Sequence, residues 1–270
     1  MQVSNRPFMQ VAVLVVAALG VSLSAQTAGF SNASLKGSYS FLTNVRTANA
    51  STPQFAMVGV MTFDGAGNVT GSYTSISDHT VQSGALGGAY SVKSNGTGTI
   101  DLTTPSTAQF AITLNSTAGG VAHGVELLQT NDINNEVVSG TALLQSTTAG
   151  KYTLASLKGN FAFQYNPWTA DASQPEDAGT GIFSFDGKGN IKGSATIMFD
   201  GGEVGGPFKA TYKVNLDGSG TISIASKHNV QFAFTLNSVT AGQARGLQFL
   251  DTNTGDGTGN LVITGNALKQ

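Results

Sequence analysis

The sequence predicts an all-β protein of two tandem eight-stranded antiparallel up-and-down β-barrels, preceded by an N-terminal signal-peptide helix. The first observation is an internal repeat: residues 34–131 align without a gap with residues 156–253, with 42 identities in 98 pairs. The second is a period-two alternation of apolar and polar residues, which marks strands with one buried face. The third is composition, because 35 glycines and 10% charged residues suit short strands joined by tight turns.

The N-terminal residues 1–25 have the order of a secretory signal peptide. Arg6 gives a positive start, residues 11–21 are apolar, and small residues follow this run. The run is short for a membrane span, although an uncleaved N-terminal anchor is the alternative. We expect cleavage between Ser24 and Ala28, a mature chain without a membrane span, and secretion to the periplasm or the extracellular space.

The two repeats occupy residues 27–145 and 148–270, each opens with Thr-Ala-Gly, and Ser-Leu-Lys-Gly follows a few residues later. In repeat 1 the alternating apolar positions are Leu35, Gly37, Tyr39 and Phe41; Gly59, Met61 and Phe63; Val69, Gly71 and Tyr73; Leu86, Gly88, Tyr90 and Val92; Gly98, Ile100 and Leu102; and Ala108, Phe110, Ile112 and Leu114. Two weaker strands near 122–130 and 136–144 complete the eight. Closure into a barrel would remove exposed strand edges, and a sandwich of two open sheets is the alternative.

Alternate connections of an up-and-down barrel lie at opposite ends. One end of repeat 1 carries tight glycine-rich turns at 64–67, 95–98 and 116–120, which glycine supports by adopting positive φ. The other end carries longer loops at 44–54, 78–83, 104–107 and 131–135, with 166–176, 200–205, 226–229 and 253–259 in repeat 2. Since binding mouths usually lie among long loops, we place any site there.

The long loops supply the candidate ligand-binding residues, which are Arg46, Asp78, His79, Asp132, Trp168, Asp200 and His228. Trp168 is the only tryptophan and suits an anchor for an apolar ligand, a sugar ring or a protein, or alternatively a plug over the barrel end. If the protein is an enzyme, the catalytic candidates are Asp78, His79, Asp200 and His228. The sequence has neither a Gly-x-Ser-x-Gly elbow nor an H-x-x-x-H zinc spacing.

Two further features have alternative interpretations. The segments Asp64–Asn68 and Asp186–Asn190 suit hairpin turns capped by aspartate, or calcium loops that would be poor in carboxylates. The inward glycines 37, 59 and 71 either leave a ligand cavity or allow the strands to coil around a filled core. We favour turns and a filled core, and expect no metal and no cofactor.

Composition excludes several classes of protein. The absence of cysteine excludes disulfides, thiolate metal sites and a cysteine nucleophile. A formal net charge of −2 without a basic patch argues against nucleic acid as a partner.

Short motifs resemble those of the calycin-type barrels. Gly37-Ser38-Tyr39 and Gly159-Asn160-Phe161, on the first strand of each meander, resemble the Gly-x-Trp start of lipocalins and avidins. The segment 68–73 resembles the second hairpin of avidins, where a turn leads into Gly-x-Tyr. Tyr39 and Phe161 replace the tryptophan of the Gly-x-Trp motif in the two repeats. The ligand-contacting tryptophans of avidin also have no counterparts, so biotin binding is not implied. The resemblance covers about 40 residues of each repeat and implies a calycin-type barrel; the allene oxide cyclase barrel has a similar outline, which leaves an isomerase open.

These observations favour a secreted, non-enzymatic binding or surface protein. Its long loops would engage a small apolar molecule, a glycan or a surface protein. A secreted hydrolase or isomerase that uses the polar loop residues is the first alternative. An outer-membrane pore is a second, although the face opposite the aromatics is rich in Thr, Ser, Gln and Lys, where a lipid-facing surface would be apolar.

Overall fold

The protein forms two closed antiparallel β-barrels of eight strands each. The computed structural model describes residues 29–46, 55–77, 80–131, 137–147, 151–168, 177–199, 201–225, 230–253 and 262–270. Each barrel pairs every strand with its sequence neighbour and closes by pairing its first strand with its last. The predicted fold is therefore confirmed, and the open-sandwich alternative is wrong. The signal-peptide segment lies outside the described residues.

The strands follow one another with few intervening residues. In barrel 1 they are β1 (Lys36–Arg46), β2 (Phe55–Asp64), β3 (Asn68–Ser77), β4 (Thr80–Val92), β5 (Thr97–Thr104), β6 (Ala108–Ala118), β7 (Val121–Gln129) and β8 (Val137–Ser146). In barrel 2 they are β9 (Lys158–Trp168), β10 (Asp177–Asp186), β11 (Asn190–Phe199), β12 (Gly202–Val214), β13 (Ser219–Ile224), β14 (Gln231–Asn237), β15 (Gly246–Asp251) and β16 (Val262–Lys269). One-turn 3-10 helices at Asn32–Ser34 and Leu154–Ser156 precede the barrels.

Two of the expected long loops are shorter than the sequence indicated. The sequence predicts loops at 78–83 and 200–205, but β4 begins at Thr80 and β12 at Gly202. In this region Ser77 pairs with Thr80, and Phe199 pairs with Gly202. The polar and glycine-rich sequences of these segments gave no strand signal, yet the backbone of the preceding strand offers them hydrogen-bond partners.

The interior of each barrel is filled by the apolar residues that alternate along the strands. In barrel 1, Tyr39, Phe63 and Tyr90 form an edge-to-face series with ring centroids 5.4 and 5.0 Å apart. Phe161, Phe185 and Tyr212 repeat this series in barrel 2, at 5.3 and 5.0 Å. The repetition shows that the duplicated sequence encodes the same core geometry twice.

Several interior aromatic rings lie across glycines of the neighbouring strand. Phe41 is paired with Gly59, and a Cβ atom on Gly59 would lie 2.5 Å from the ring carbon Cε1. Phe163 and Gly181 form the equivalent pair in barrel 2, and a Cβ on Gly181 would lie 2.7 Å from the ring. Phe234 lies in the same way over Gly220. Glycine at these positions thus makes room for the rings that fill the core.

The tight-turn end of each barrel is covered by its 3-10 turn. The Tyr90 hydroxyl donates hydrogen bonds to the carbonyls of Asn32 (3.0 Å) and Leu35 (2.8 Å). In barrel 2 the Tyr212 hydroxyl donates in the same way to the carbonyls of Leu154, in the second 3-10 helix, and Leu157, which follows it. Burial raises the pKa of Tyr90 to about 12, so this hydroxyl keeps its proton at physiological pH.

Among the described residues, no helix is long and apolar enough to cross a membrane.

Substitution of Gly59 by alanine should destabilise barrel 1. The added Cβ would collide with the Phe41 ring and the Ser72 carbonyl, and overpacking of this kind costs about 1–3 kcal/mol. Gly87→Ala is the matched control, because a Cβ there meets nothing closer than the Val69 carbonyl at 3.9 Å. Urea-unfolding midpoints measure both variants. Equal stability of the two would contradict the ring-over-glycine account.

Candidate functional site

Five of the loop residues predicted from the sequence lie outside the described residues. They are Asp78, His79, Asp132, Asp200 and His228. Arg46 and Trp168 are the last residues of β1 and β9, and their side chains also lie outside the described part. The long-loop site therefore stays a prediction.

The barrel interiors favour the filled-core interpretation over a ligand cavity. Of the inward glycines, Gly59 is covered by the Phe41 ring, and a Cβ on Gly71 would meet the Val60 backbone. Gly37 has a φ of +107°, which explains glycine there by backbone conformation. These glycines accommodate packing within the barrel.

The Asp64 turn is built as a capped hairpin. The Asp64 carboxylate accepts hydrogen bonds from the backbone amides of Ala66, Gly67 and Asn68 at 2.7–3.0 Å and from the Asn68 side chain at 2.6 Å. These hydrogen bonds, led by that of the Asn68 side chain, lower the pKa of Asp64 to about 2. The turn's own donors thus occupy the carboxylate. Among the described residues, no group of three or more His, Asp or Glu side chains is placed to hold a metal ion.

The outer faces of the two barrels meet in an apolar cluster. Barrel 1 contributes outward residues of β1 to β3, and barrel 2 contributes outward residues of β14 to β16. The cluster consists of Leu42, Ala56, Val58 and Ile76 from barrel 1 with Ala233, Leu250 and Val262 from barrel 2. All but Leu42 are buried. These residues make the junction a second, small hydrophobic core that lies outside both barrels.

A buried polar network crosses the same junction. The Ser40 hydroxyl donates to Gln248 Oε1 at 2.6 Å and lies 2.8 Å from the Thr235 hydroxyl, from which it can accept. Gln248 Nε2 in turn donates to Thr141 Oγ1 at 3.1 Å. Since buried polar groups are costly unless they are paired, this chain of bonds fixes the relative position of the facing strands.

Backbone hydrogen bonds fix the junction near the segment that links the barrels. Ser238 N donates to the Leu144 carbonyl at 2.8 Å, and Val239 N donates to the Gln145 carbonyl at 2.9 Å. The Gln145 side chain and the Tyr152 hydroxyl are buried here, and within the described residues neither has a hydrogen-bond partner. Tyr152 N donates to the Leu216 carbonyl at 3.2 Å, which ties the link to the β12–β13 turn.

A cleft of about 340 Å³ opens beside this junction. It lies between the outer face of β3 and β4 in barrel 1 and the β12–β13 hairpin in barrel 2. Its polar side chains are Ser72, Thr74, Ser83, Asn215, Asp217, Ser219, Thr221 and Thr235. Apart from Asp217, these polar side chains are neutral hydroxyls and one amide, and the Thr235 hydroxyl is buried in the network with Ser40. The cleft therefore offers many hydrogen-bonding groups and one negative charge.

Asp217 joins the two barrels at this cleft. Its carboxylate accepts from the Ser72 hydroxyl of barrel 1 at 2.7 Å, and from the hydroxyl (2.7 Å) and backbone amide (2.9 Å) of Ser219. Burial alone would raise the pKa of Asp217, but the hydrogen bonds from Ser219 and Ser72 outweigh it and the pKa is lowered. The equivalent turn in barrel 1 is capped by Asn95, whose side-chain oxygen accepts from Thr97. A side-chain cap is thus present at the equivalent turn of both repeats, but only the cap at the cleft, Asp217, carries a negative charge.

The residues of this cleft were not among those predicted from the sequence. Ser40, Thr235 and Gln248 belong to polar sets that alternation assigns to an outer face, and alternation does not show that another barrel covers that face. One signal was available in the sequence, because the repeats differ at the equivalent pairs Asn95/Asp217 and Glu126/Gln248.

Comparisons with known proteins add little to this geometry. No protein-family model and no curated protein matches the chain. Similar solved structures include CghA, with 10% identity and a TM-score of 0.28 over 86% of this chain and 88% of that one. Kievitone hydratase from Nectria haematococca shows 9% identity and a TM-score of 0.27 over 88% and 92%. A protein of unknown function from the DUF3598 family of Nostoc punctiforme shows 12% and 0.28 over 88% and 98%. Similarity at these TM-scores carries no argument about function.

The capped turns predict a loss of stability in acid. The pKa of Asp64 and that of its equivalent Asp186 are lowered from 3.8 to about 2, so folding favours the ionised form. Their contribution is complete above about pH 4 and is lost as the pH falls towards 2. Urea unfolding should therefore show the wild type losing more stability over this range than an Asp64→Asn/Asp186→Asn variant. Parallel pH profiles would contradict the prediction.

Proposed function

We propose that this is an exported binding protein that takes a polar, hydroxyl-bearing small molecule or glycan segment in the cleft between its barrels. The observation that carries the proposal is Asp217, an ionised carboxylate partly buried in a cleft whose other polar side chains are neutral. Ligand sites commonly occur where two domains meet, and clefts of roughly 300–1,000 Å³ suit small ligands.

Binding fits this cleft better than acid–base catalysis does. A general acid or base works best when its pKa is near the operating pH. The pKa of Asp217 is lowered instead, and its carboxylate is held by Ser72 and Ser219. Such a carboxylate accepts hydrogen bonds from a ligand but has no proton to give at neutral pH.

The lining favours a neutral or cationic polar ligand. The lining holds six side-chain hydroxyls and the Asn215 amide. Ser72 and Ser219 donate their protons to Asp217, and the buried Thr235 is bonded to Ser40. The neutral donors left for a ligand are therefore Asn215, Thr221 and one hydroxyl of the hydrogen-bonded pair Thr74 and Ser83. The single formal charge of the lining is negative, which disfavours anions. The outward apolar side chains of the lining are Val58 and Ala233, whereas Phe234 belongs to the core of barrel 2. Sugars and amino sugars match this pattern better than a purely apolar molecule does.

Two hypotheses about the long-loop end, a second binding contact and an enzyme site, rest on the sequence alone. The strand-end residues Arg46 and Trp168 suit a second contact with a glycan or a surface protein. A secreted hydrolase or isomerase would instead use Asp78, His79, Asp200 or His228. Loss of a measured activity when these four are replaced by alanine would favour that alternative over the binding proposal.

Calorimetric titration with a panel of neutral and amino-sugar oligosaccharides tests the cleft. Asp217→Asn should weaken binding about tenfold, the loss expected when a charged hydrogen bond becomes neutral. It should leave the turn intact, because Asn95 caps the equivalent turn in barrel 1.

A bulky substitution provides the matched control. Thr221→Trp should fill the cleft and abolish binding. Thr99→Trp, at the equivalent position on the outer face of barrel 1, should have no effect. Absence of binding to every oligosaccharide at about 1 mM, where affinity is only about 4 kcal/mol, or equal effects of the two tryptophans, would overturn the proposal.

Export is supported by the order of charge, apolar run and small residues at the N-terminus. N-terminal sequencing of the protein recovered outside the cytoplasm should give a first residue between Ala25 and Gly29. Recovery of the chain only in the cytoplasm, with Met1 retained, would contradict export without affecting the cleft.

A further inference from the structure

The duplication gives the molecule two copies of each surface that forms its internal junction. The junction uses the β1–β3 face of barrel 1, made by Ser40, Leu42, Ala56, Val58 and Ile76, and the β14–β16 face of barrel 2, made by Ala233, Thr235, Gln248, Leu250 and Val262. Each barrel contains both kinds of face. One face of each kind is therefore left largely without a partner in a single chain, and the exception is β8, where Thr141 and Leu144 contact barrel 2.

The unpartnered β6–β8 face of barrel 1 keeps the composition of the buried one. Its residues are Ala111, Thr113, Glu126, Leu128 and Val137, which are equivalent in that order to the five of the β14–β16 face. Four of the five are identical, and glutamate replaces glutamine at the other. Val137 and Val262 are equivalent by strand register, because they pair with Arg46 and Trp168 respectively.

The equivalent residues differ sharply in exposure. Leu250 and Val262 are 0% and 6% exposed in the junction, whereas Leu128 and Val137 are 47% and 55% exposed. The equivalent threonines follow the same pattern, because Thr235 is buried and Thr113 is exposed. The β14–β16 face of barrel 2 is covered by barrel 1. Its nearly unchanged copy, the β6–β8 face of barrel 1, is exposed.

The unpartnered β9–β11 face of barrel 2 is the counterpart of the covering surface. It presents Ala162, Gln164, Ala178, Thr180 and Met198 at the positions of the β1–β3 face, and Ile182 at the position of the buried Val60. Ile182 and Met198 are 37% and 47% exposed, although Val60 and Ile76 are buried. The other side chains of this face are small or apolar, and Gln164 and Thr180 are polar residues at the positions of Leu42 and Val58.

We propose that a second copy of this chain places its β9–β11 face on the β6–β8 face of the first, in the arrangement of the internal junction. The contact is heterologous, so each added copy leaves one face of each kind free. Copies can therefore add head to tail, either into an open chain or into a ring if the rotation between copies closes.

The contact between copies should be weaker than the internal junction. The link holds the two internal faces at high effective concentration, and separate chains lack this advantage. The Ser40–Gln248 hydrogen bond is also missing, because Ala162 and Glu126 stand at those positions. Docking would bury the Glu126 carboxylate, whose one hydrogen bond in this region comes from Asn115 at 2.7 Å.

Complementary blocking variants provide the test, with sedimentation velocity of the full chain as the measurement. The wild type should show mass that rises with concentration between about 1 µM and about 1 mM, the range in which weak contacts are populated. Leu128→Lys/Val137→Lys blocks the β6–β8 face and Ile182→Lys/Met198→Lys blocks the β9–β11 face. Each variant alone should be monomeric. Leu216→Lys, at an exposed leucine outside both faces, is the control and should behave as wild type.

The mixture of the two blocked variants is diagnostic. Each keeps the one face that the other lacks, so an equimolar mixture should form a one-to-one dimer and nothing larger. Glu126→Gln, which restores the residue of the internal junction, should tighten the wild-type association about tenfold, as expected for relieving a buried unpaired carboxylate. A wild type that stays monomeric up to about 1 mM, or a mixture that stays monomeric while the wild type associates, would overturn the proposal. Circular dichroism confirms that each variant is folded.

Discussion

Both barrels depend on aromatic rings that lie across glycines of the neighbouring strand. An eight-stranded barrel has an interior only just wide enough to be filled by side chains. A ring and a facing Cβ do not fit together in that space, as the pairs Phe41/Gly59 and Phe163/Gly181 show. The glycines therefore belong to the core as much as the aromatics do. The polar groups that join the two barrels lie on their outer surfaces.

The second constraint is that an outer surface of one barrel becomes an inner surface of the molecule. Five residues of the β14–β16 face are buried against barrel 1, whereas four of the five residues at equivalent positions of the β6–β8 face are exposed and the fifth, Ala111, is half-buried. Local sequence is nearly the same in the two places. The difference is made by which neighbour each face has.

Charge differs between the repeats where the junction requires it. Glu126 is exposed, and its equivalent Gln248 is buried in a network of neutral partners, where a carboxylate would have no compensating cation among the contacts described. Asp217 is the opposite case, since it is charged where its equivalent Asn95 is neutral. The carboxylate is tolerated because two hydroxyls and one amide donate to it. The hydrogen bond from Ser72 joins the barrels, and together the three hydrogen bonds stabilise the negative charge of the Asp217 carboxylate.

The sequence alone determined the repeat, the all-β class, the eight strands of each unit, the inward residues and the capped turns at Asp64 and Asp186. Each of these rests on local information, namely the period-two alternation, the side-chain hydrogen bonds within a turn and the offset between the repeats. Only the tertiary structure decided that the sheets close, that rings cover Gly59 and Gly181, and that Ser40, Ser72 and Asp217 meet at one junction. Ser72 and Asp217 are 145 residues apart, and an outward polar residue has the same pattern whether water or another barrel lies beside it. The physical reason is that alternation specifies which side of a strand faces its own core, while the neighbour on the other side is set by contacts between distant parts of the chain.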